Sequence, residues 1–173
     1  MSCYNVGLDL SYSGTGVVII HDEAVETYEF KAGKPNTPFH ERAADLWKQL
    51  ARVMPNPTTD EVNIVIEGAA YAAEFNAFTL GELTGAIKVF LYLHGYKYEL
   101  AAPNVVKKFA TGSGNAQKTY VAACVAQKWG FVHKSNNVSD AYVLAKIAEI
   151  GVMAAEQICQ EMTKSKTKKG KVK

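Results

Sequence analysis

Three acidic residues stand where a carboxylate is chemically useful and structurally expensive. Asp9 falls within the apolar run Val6-Gly7-Leu8-Asp9-Leu10, and Glu67 closes the run Val62-Asn63-Ile64-Val65-Ile66. Asp140 sits at the start of a long C-terminal helical pattern. An ionised carboxylate in a buried strand is costly unless something pairs with it, and a metal ion is a common partner. Asp9 therefore either ligates a divalent cation or, at a strand end, faces solvent or caps the turn Ser11-Tyr12-Ser13-Gly14. Asp140 also suits the positive end of a helix dipole. Two carboxylates on neighbouring strands require a cation between them or a proton on one of them. Oxygen donors without a Cys or His pattern point to Mg²⁺ or Mn²⁺. Two such ions about 4 Å apart can activate a water and stabilise the leaving oxygen in phosphodiester cleavage.

The elements that must position these acids follow from periodicity. Residues 4–10 and 15–21 read as strands joined by a tight turn, and the alternation over 25–31 predicts a third strand, giving an antiparallel meander. Helical spacing predicts a helix over 39–54, stopped by Pro55-Asn56-Pro57. The nearly continuous apolar run 62–67 predicts a buried parallel strand. Residues 68–78 read as a loop carrying Tyr71, Phe75 and Phe78, before a helical face formed by Leu80, Leu83, Ile87, Phe90 and Leu91. Gly81 and Gly85 on that helix permit close approach of another backbone. A fifth strand is expected over 96–101, a short helix from Pro103 to Ala110, a helix over 118–129 and one long helix over 138–162. The expected fold class is α/β: a mixed five-stranded sheet, three antiparallel strands and then parallel ones, with helices on both faces.

The chain has 173 residues, 48% apolar and 21% charged, which fits one domain with a full core. The apolar runs are too short to span a membrane, and the N-terminal residues show no secretory pattern. Cys3, Cys124 and Cys159 form neither a metal pattern nor a disulfide framework, so a cytoplasmic setting is expected. Six lysines crowd residues 163–173; without them the formal net charge of +2 becomes −4. The expected organisation is a domain over 1–162 and a basic, disordered tail over 163–173 able to grip a polyanion.

These features, taken in order, resemble the RuvC family of Holliday junction resolvases, within the RNase H-like superfamily. The resemblance rests on Gly7-Leu8-Asp9-Leu10-Ser11 with Thr15-Gly16, on Ile64-Val65-Ile66-Glu67, and on Leu80-Gly81 with Gly85. It continues through Ala102-Pro103-Asn104-Val105-Val106-Lys107-Lys108, the stretch Thr111-Gly112-Ser113-Gly114-Asn115-Ala116-Gln117-Lys118, and Ser139-Asp140-Ala141. It spans about residues 4–150 and looks like a compact, phage-type member. It implies that Asp9, Glu67 and Asp140 bind metal, two Mg²⁺ or Mn²⁺ ions per site. The family's fourth ligand, an Asp or His, falls at Asn137, whose amide oxygen is a weaker donor; His133 is a possible substitute. Lys118 matches a family lysine near the scissile phosphate. Lys107 and Lys108 match a DNA-facing pair. Tyr71 or Phe75 is placed to stack on a base, next to the family's usual position at Ala70. The implied activity is paired nicking of four-way DNA junctions by a homodimer, leaving 5′-phosphate and 3′-hydroxyl ends, in recombination and repair. The helix carrying Gly81 and Gly85 is the candidate dimer contact. Alternatives are a broader branched-DNA nuclease, an RNase H-like nuclease acting on RNA in hybrids, and a catalytically silent module that binds nucleic acid. An actin-like ATPase also opens on a strand bearing Asp, but it needs two duplicated lobes.

Overall fold

The structure, a computed structural model, describes residues 1–34, 36–68 and 74–169, apart from the side chains of 74–77 and 166–169. Its strands are β1 (Cys3–Asp9), β2 (Thr15–His21), β3 (Ala24–Phe30), β4 (Glu61–Glu67) and β5 (Tyr98–Ala101). Its helices are α1 (Phe39–Leu50), α2 (Glu74–Leu93), α3 (Pro103–Thr111), α4 (Lys118–Trp129), α5 (Asn136–Ala148) and α6 (Val152–Lys169). The sheet runs β3-β2-β1-β4-β5, antiparallel across the first three strands and parallel from β1 through β4 to β5. This is the mixed sheet expected from the order of elements.

Alternation divides each strand between two cores. Val6, Leu8, Val17, Ile19, Ile64 and Ile66 face α1 and α2, where Leu46, Leu50, Leu83, Ile87 and Leu91 are buried. Trp47 of α1 stacks on Phe90 of α2 at 5.7 Å and ties the two helices together. The opposite face carries Val18, Ile20 and Val65 against α5, with α3, α4 and α6 outside it. Nine of the thirteen residues of α5 are buried, as expected of a helix that is apolar nearly all round. It lies close to the sheet because Gly7 and Gly16 leave room. A Cβ on Gly7 would fall 1.9 Å from the Ala141 carbonyl oxygen, and one on Gly16 would fall 2.2 Å from that of Asn137.

The turn between β1 and β2 is tied by Thr15. Its hydroxyl donates to the Ser11 carbonyl at 2.8 Å and accepts the Ser11 N–H at 3.0 Å. Strand β1 ends on Asp9 rather than continuing to residue 10, so the acid sits at the strand's C-terminal end.

The expected helix over 138–162 is two helices. Gly151 adopts a left-handed φ of +83° and donates its N–H to the Ile147 carbonyl at 2.8 Å, which closes α5. The Val152 N–H then bonds Glu99 Oε2 at 3.1 Å, fastening the start of α6 to β5. Apolar periodicity alone runs across this break. Helix α6 continues to Lys169, so residues 163–169, expected to be disordered, are helical. Helix α2 begins at Glu74, inside the stretch expected to be a loop. The fifth strand starts two residues late, because Tyr96 is drawn away to donate its hydroxyl to the Pro55 carbonyl at 2.8 Å. Among the described residues, no helix is long and apolar enough to cross a membrane.

Candidate active site

The parallel pairing of β1 with β4 sets Leu8 beside Ile66. The next residue on each strand is an acid, so Asp9 and Glu67 end adjacent strands on the face covered by α5. Gly7 and Gly16 let that helix settle, and its first turns bring Asn137 and Asp140 over the same strand ends. Lys118, the first residue of α4, reaches Asp140 Oδ2 at 3.4 Å. A cavity of about 500 Å³ opens here, lined by Asp9, Ser11, Glu67, Leu80, Lys118 and Asn137 among others.

The electrostatics of the cluster are unfavourable as it stands. Asp9 is only 8% exposed. Burial pushes its carboxyl up to about 8, with Glu67 and then Asp140 adding to the rise and Lys118 opposing it. Burial also raises Glu67, helped by Asp140 and opposed by Lys118 and Lys107. Asp140 is raised by burial against the pull of Lys118 and Lys107. Burial works to lower Lys118, but Asp140, Asp9 and Glu67 outweigh it and hold the ammonium above its ordinary value.

Among the described residues, no three His, Cys, Asp or Glu side chains form a finished ion-binding shell. Asp140 leans on Lys118 instead. The donor chemistry nonetheless fits a hard divalent cation: three buried or half-buried carboxylates and an amide, with no sulfur or imidazole. The field that holds a proton on Asp9 would favour a cation in its place, and binding one would release that proton.

The structure brings together Asp9, Glu67, Asp140, Lys118 and Asn137, and it separates the lysine pair. Lys107 helps to hold down the carboxyls of Glu67 and Asp140 and lines a second groove of about 830 Å³ with Lys88, Asn104 and Asn115. Lys108 points the other way and donates to Thr163 Oγ1 of α6. Neighbouring helix residues do not share a face, so Lys108 is not at the site. His133 is committed elsewhere: its Nδ1 accepts the Ser135 N–H at 3.1 Å and its ring stacks on Phe131. Ala70 and Tyr71 lie outside the described residues. Phe75 falls within α2, and its side chain is outside them too. Sequence reasoning missed Glu29 of β3, whose Oε1 accepts the amide of Asn137 at 3.2 Å and the hydroxyl of Ser135 at 2.7 Å. The register of the meander, which pairs Asp9 with Gly16 and Gly16 with Glu29, is the signal that could have found it.

Sheet order and helix placement define an RNase H-like fold, with an acidic centre at the ends of its neighbouring strands β1 and β4. A family model described as "Crossover junction endodeoxyribonuclease RuvC" matches residues 5–148, and the chain belongs to the RuvC family. RuvC proteins are metal-dependent nucleases. Crossover junction endodeoxyribonucleases RuvC from two strains of Nitratidesulfovibrio vulgaris, DP4 and Hildenborough, are each 34% identical over 92 residues. That stretch is 53% of this chain and 55% of each relative, so the match spans about half the length of these curated proteins. Two solved structures share the fold. "T. thermophilus RuvC in complex with Holliday junction substrate" has a TM-score of 0.66 at 21% identity and covers 90% of this chain and 96% of that one. "Thermus thermophilus RuvC structure" has a TM-score of 0.62 at 22% identity and covers 86% and 97%.

Proposed function

We propose that this chain is an endodeoxyribonuclease that resolves four-way DNA junctions by paired nicks, leaving 5′-phosphate and 3′-hydroxyl ends, in recombination and repair inside the cell. The observation that carries the proposal is the placement of Asp9 and Glu67 just beyond the Leu8–Ile66 pair on adjacent strand ends, beneath Asp140, in a chain matched to RuvC over residues 5–148. In this reading Asp9, Glu67 and Asp140 hold Mg²⁺ or Mn²⁺, two ions per site, with the amide oxygen of Asn137 as a further donor. Ions held there would supply Lewis-acid activation of a water and counter-charge for the departing 3′ oxygen.

The chain's own residues do the rest. Lys118 leaves Asp140 and places its ammonium against the scissile phosphate, where negative charge builds. Lys107 and Lys88 in the adjoining groove contact the backbone of the incoming strand without reading its sequence. Tyr71 or Phe75 is assigned to base stacking at the crossover. Helix α2 presents Phe78, Val89, Tyr92 and Leu93, each more than half exposed, to a second subunit. Among the described residues, an added Cβ on Gly81 or Gly85 would meet no other element of the fold within 4 Å, which leaves their close approach available to a partner or to DNA. A dimer with one centre per subunit matches the two-fold symmetry of a four-way junction.

The silent-module reading is favoured by one feature, an amide at 137 where the family has an acid or a histidine. Incubating an immobile junction and a linear duplex with Mg²⁺, Mn²⁺ or chelator decides between them. Paired, metal-dependent nicks in the junction alone are expected. Equal cutting of forks, flaps and junctions would make it a general branched-DNA nuclease. Binding without nicks would make it the silent module.

A further inference from the structure

Glu29 shares a cross-strand row with the first acid of the centre: Asp9 pairs with Gly16, and Gly16 with Glu29. Directly opposed residues on neighbouring strands point to one face, here the face beneath α5. The middle of the row has no side chain, and the first turn of α5 sits into that gap. A Cβ on Gly16 would fall 2.2 Å from the Asn137 carbonyl oxygen. Asn137 thus stands between Asp9 and Glu29. Its Nδ2 donates to Glu29 Oε1 at 3.2 Å, and it lines the cavity that holds Asp9, Glu67 and Lys118. Gly14 keeps the contact open, since a Cβ there would lie 2.9 Å from Asn137 Nδ2 and 3.0 Å from Glu29 Oε1.

We infer that Glu29 is a positioning residue: it takes the amide nitrogen of Asn137 and thereby leaves the carbonyl oxygen for a divalent cation in the acidic centre. The inference rests on the metal-binding reading above. A side-chain amide has two unlike ends, an oxygen that accepts or ligates and a nitrogen that only donates. Left alone, it can present either end to the cavity. An ionised carboxylate is acceptor-only, so one placed beside the amide selects the nitrogen. This is how outer partners commonly fix the ligands of a metal. A carboxylate at position 137 would need no such help, because its two oxygens are equivalent and Glu29 would repel it.

That asymmetry gives the test. Mn²⁺ affinity is measured by calorimetry on the full chain for wild type, Glu29→Ala, Asn137→Asp and the double variant, with metal-free melting curves to check folding. Glu29→Ala is expected to weaken Mn²⁺ binding by about 10- to 100-fold. In the Asn137→Asp background the same change is expected to cost nothing or to tighten binding. If Glu29→Ala does not fold, Glu29→Gln, which keeps the length and one acceptor oxygen, is compared across the two backgrounds and should show the same contrast, smaller in size. An unchanged affinity, or an equal loss in both backgrounds, overturns the inference; equal loss is what a mere anchor for α5 would give. A wild-type chain that binds no Mn²⁺ overturns the metal reading itself.

Discussion

Asp9→Asn should make the metal-free protein more stable at neutral pH. The carboxyl is 8% exposed and pushed up to about 8 by burial and by Glu67 and Asp140. In the unfolded chain it titrates near its ordinary value of 3.8. The native state therefore binds the proton more tightly. The stability this group lends is intact below about pH 4 and is lost as the pH rises towards about 8. At pH 7 the gap is about 3 pH units, or about 4 kcal/mol at 1.36 kcal/mol per unit. Glu67 and Asp140 share the protonation, so roughly 2–4 kcal/mol is the realistic span. An asparagine has the shape of the neutral acid and carries no such cost. At about 2–4 °C per kcal/mol for a chain of this size, Asp9→Asn should melt roughly 5–15 °C above wild type. The assay is thermal melting in chelator at pH 7 and at pH 4.5, where the difference should shrink to about a quarter. Mg²⁺ at 100 times its dissociation constant should then stabilise wild type by about 2.7 kcal/mol and the variant far less. Equal melting at pH 7, or a difference unchanged at pH 4.5, would refute the idea that ionisation of a buried Asp9 costs the chelated protein stability.

Other perturbations separate the parts of the site. Gly7→Ala drives a Cβ into the backbone of α5, so it should lower the melting temperature by about 3–10 °C, from about 1–3 kcal/mol of overpacking; an unchanged melt would mean that α5 does not rest on the sheet as described. Lys107→Ala should weaken junction binding in a gel-shift assay, whereas Lys108→Ala should leave binding intact and act only on the contact with Thr163; the reverse ranking would contradict their opposite orientations. Changing the six lysines of residues 163–173 to glutamine should shallow the log–log salt dependence of binding by up to about 5, at 0.9 per phosphate neutralised. No change of slope would assign those lysines to solubility alone.

Asp9 and Glu67 were legible because each interrupts or closes an apolar pattern, and Asp140 because it stands at the start of a long helical one. Asp9 and Glu67 end runs that can only be buried strands, and a β-β-β-α-β order makes those strands neighbours. Lys118 was marked only by its match to a family lysine, since nothing local separates it from a surface lysine at a helix start. Glu29 was not, because its role depends on which residues of a three-strand meander face one another, and a one-residue slip in either hairpin turns it to the other face. The split of Lys107 from Lys108 needed the rotation of α3, which a sequence match does not contain. The break at Gly151 was hidden because a left-handed glycine ends a helix without disturbing the apolar spacing on either side. Residues 163–169 read as disordered because charge dominates their composition, yet they extend a helix already started by buried Val152, Ala155 and Cys159.

The most direct measurement places wild type and Asp9→Asn on the same immobile four-way junction in Mg²⁺ and reads binding and nicking side by side. The account predicts that both bind the junction with similar affinity and that only wild type introduces the paired nicks. Nicking by Asp9→Asn at the wild-type rate would contradict it, and would move the chemistry away from the ends of β1 and β4.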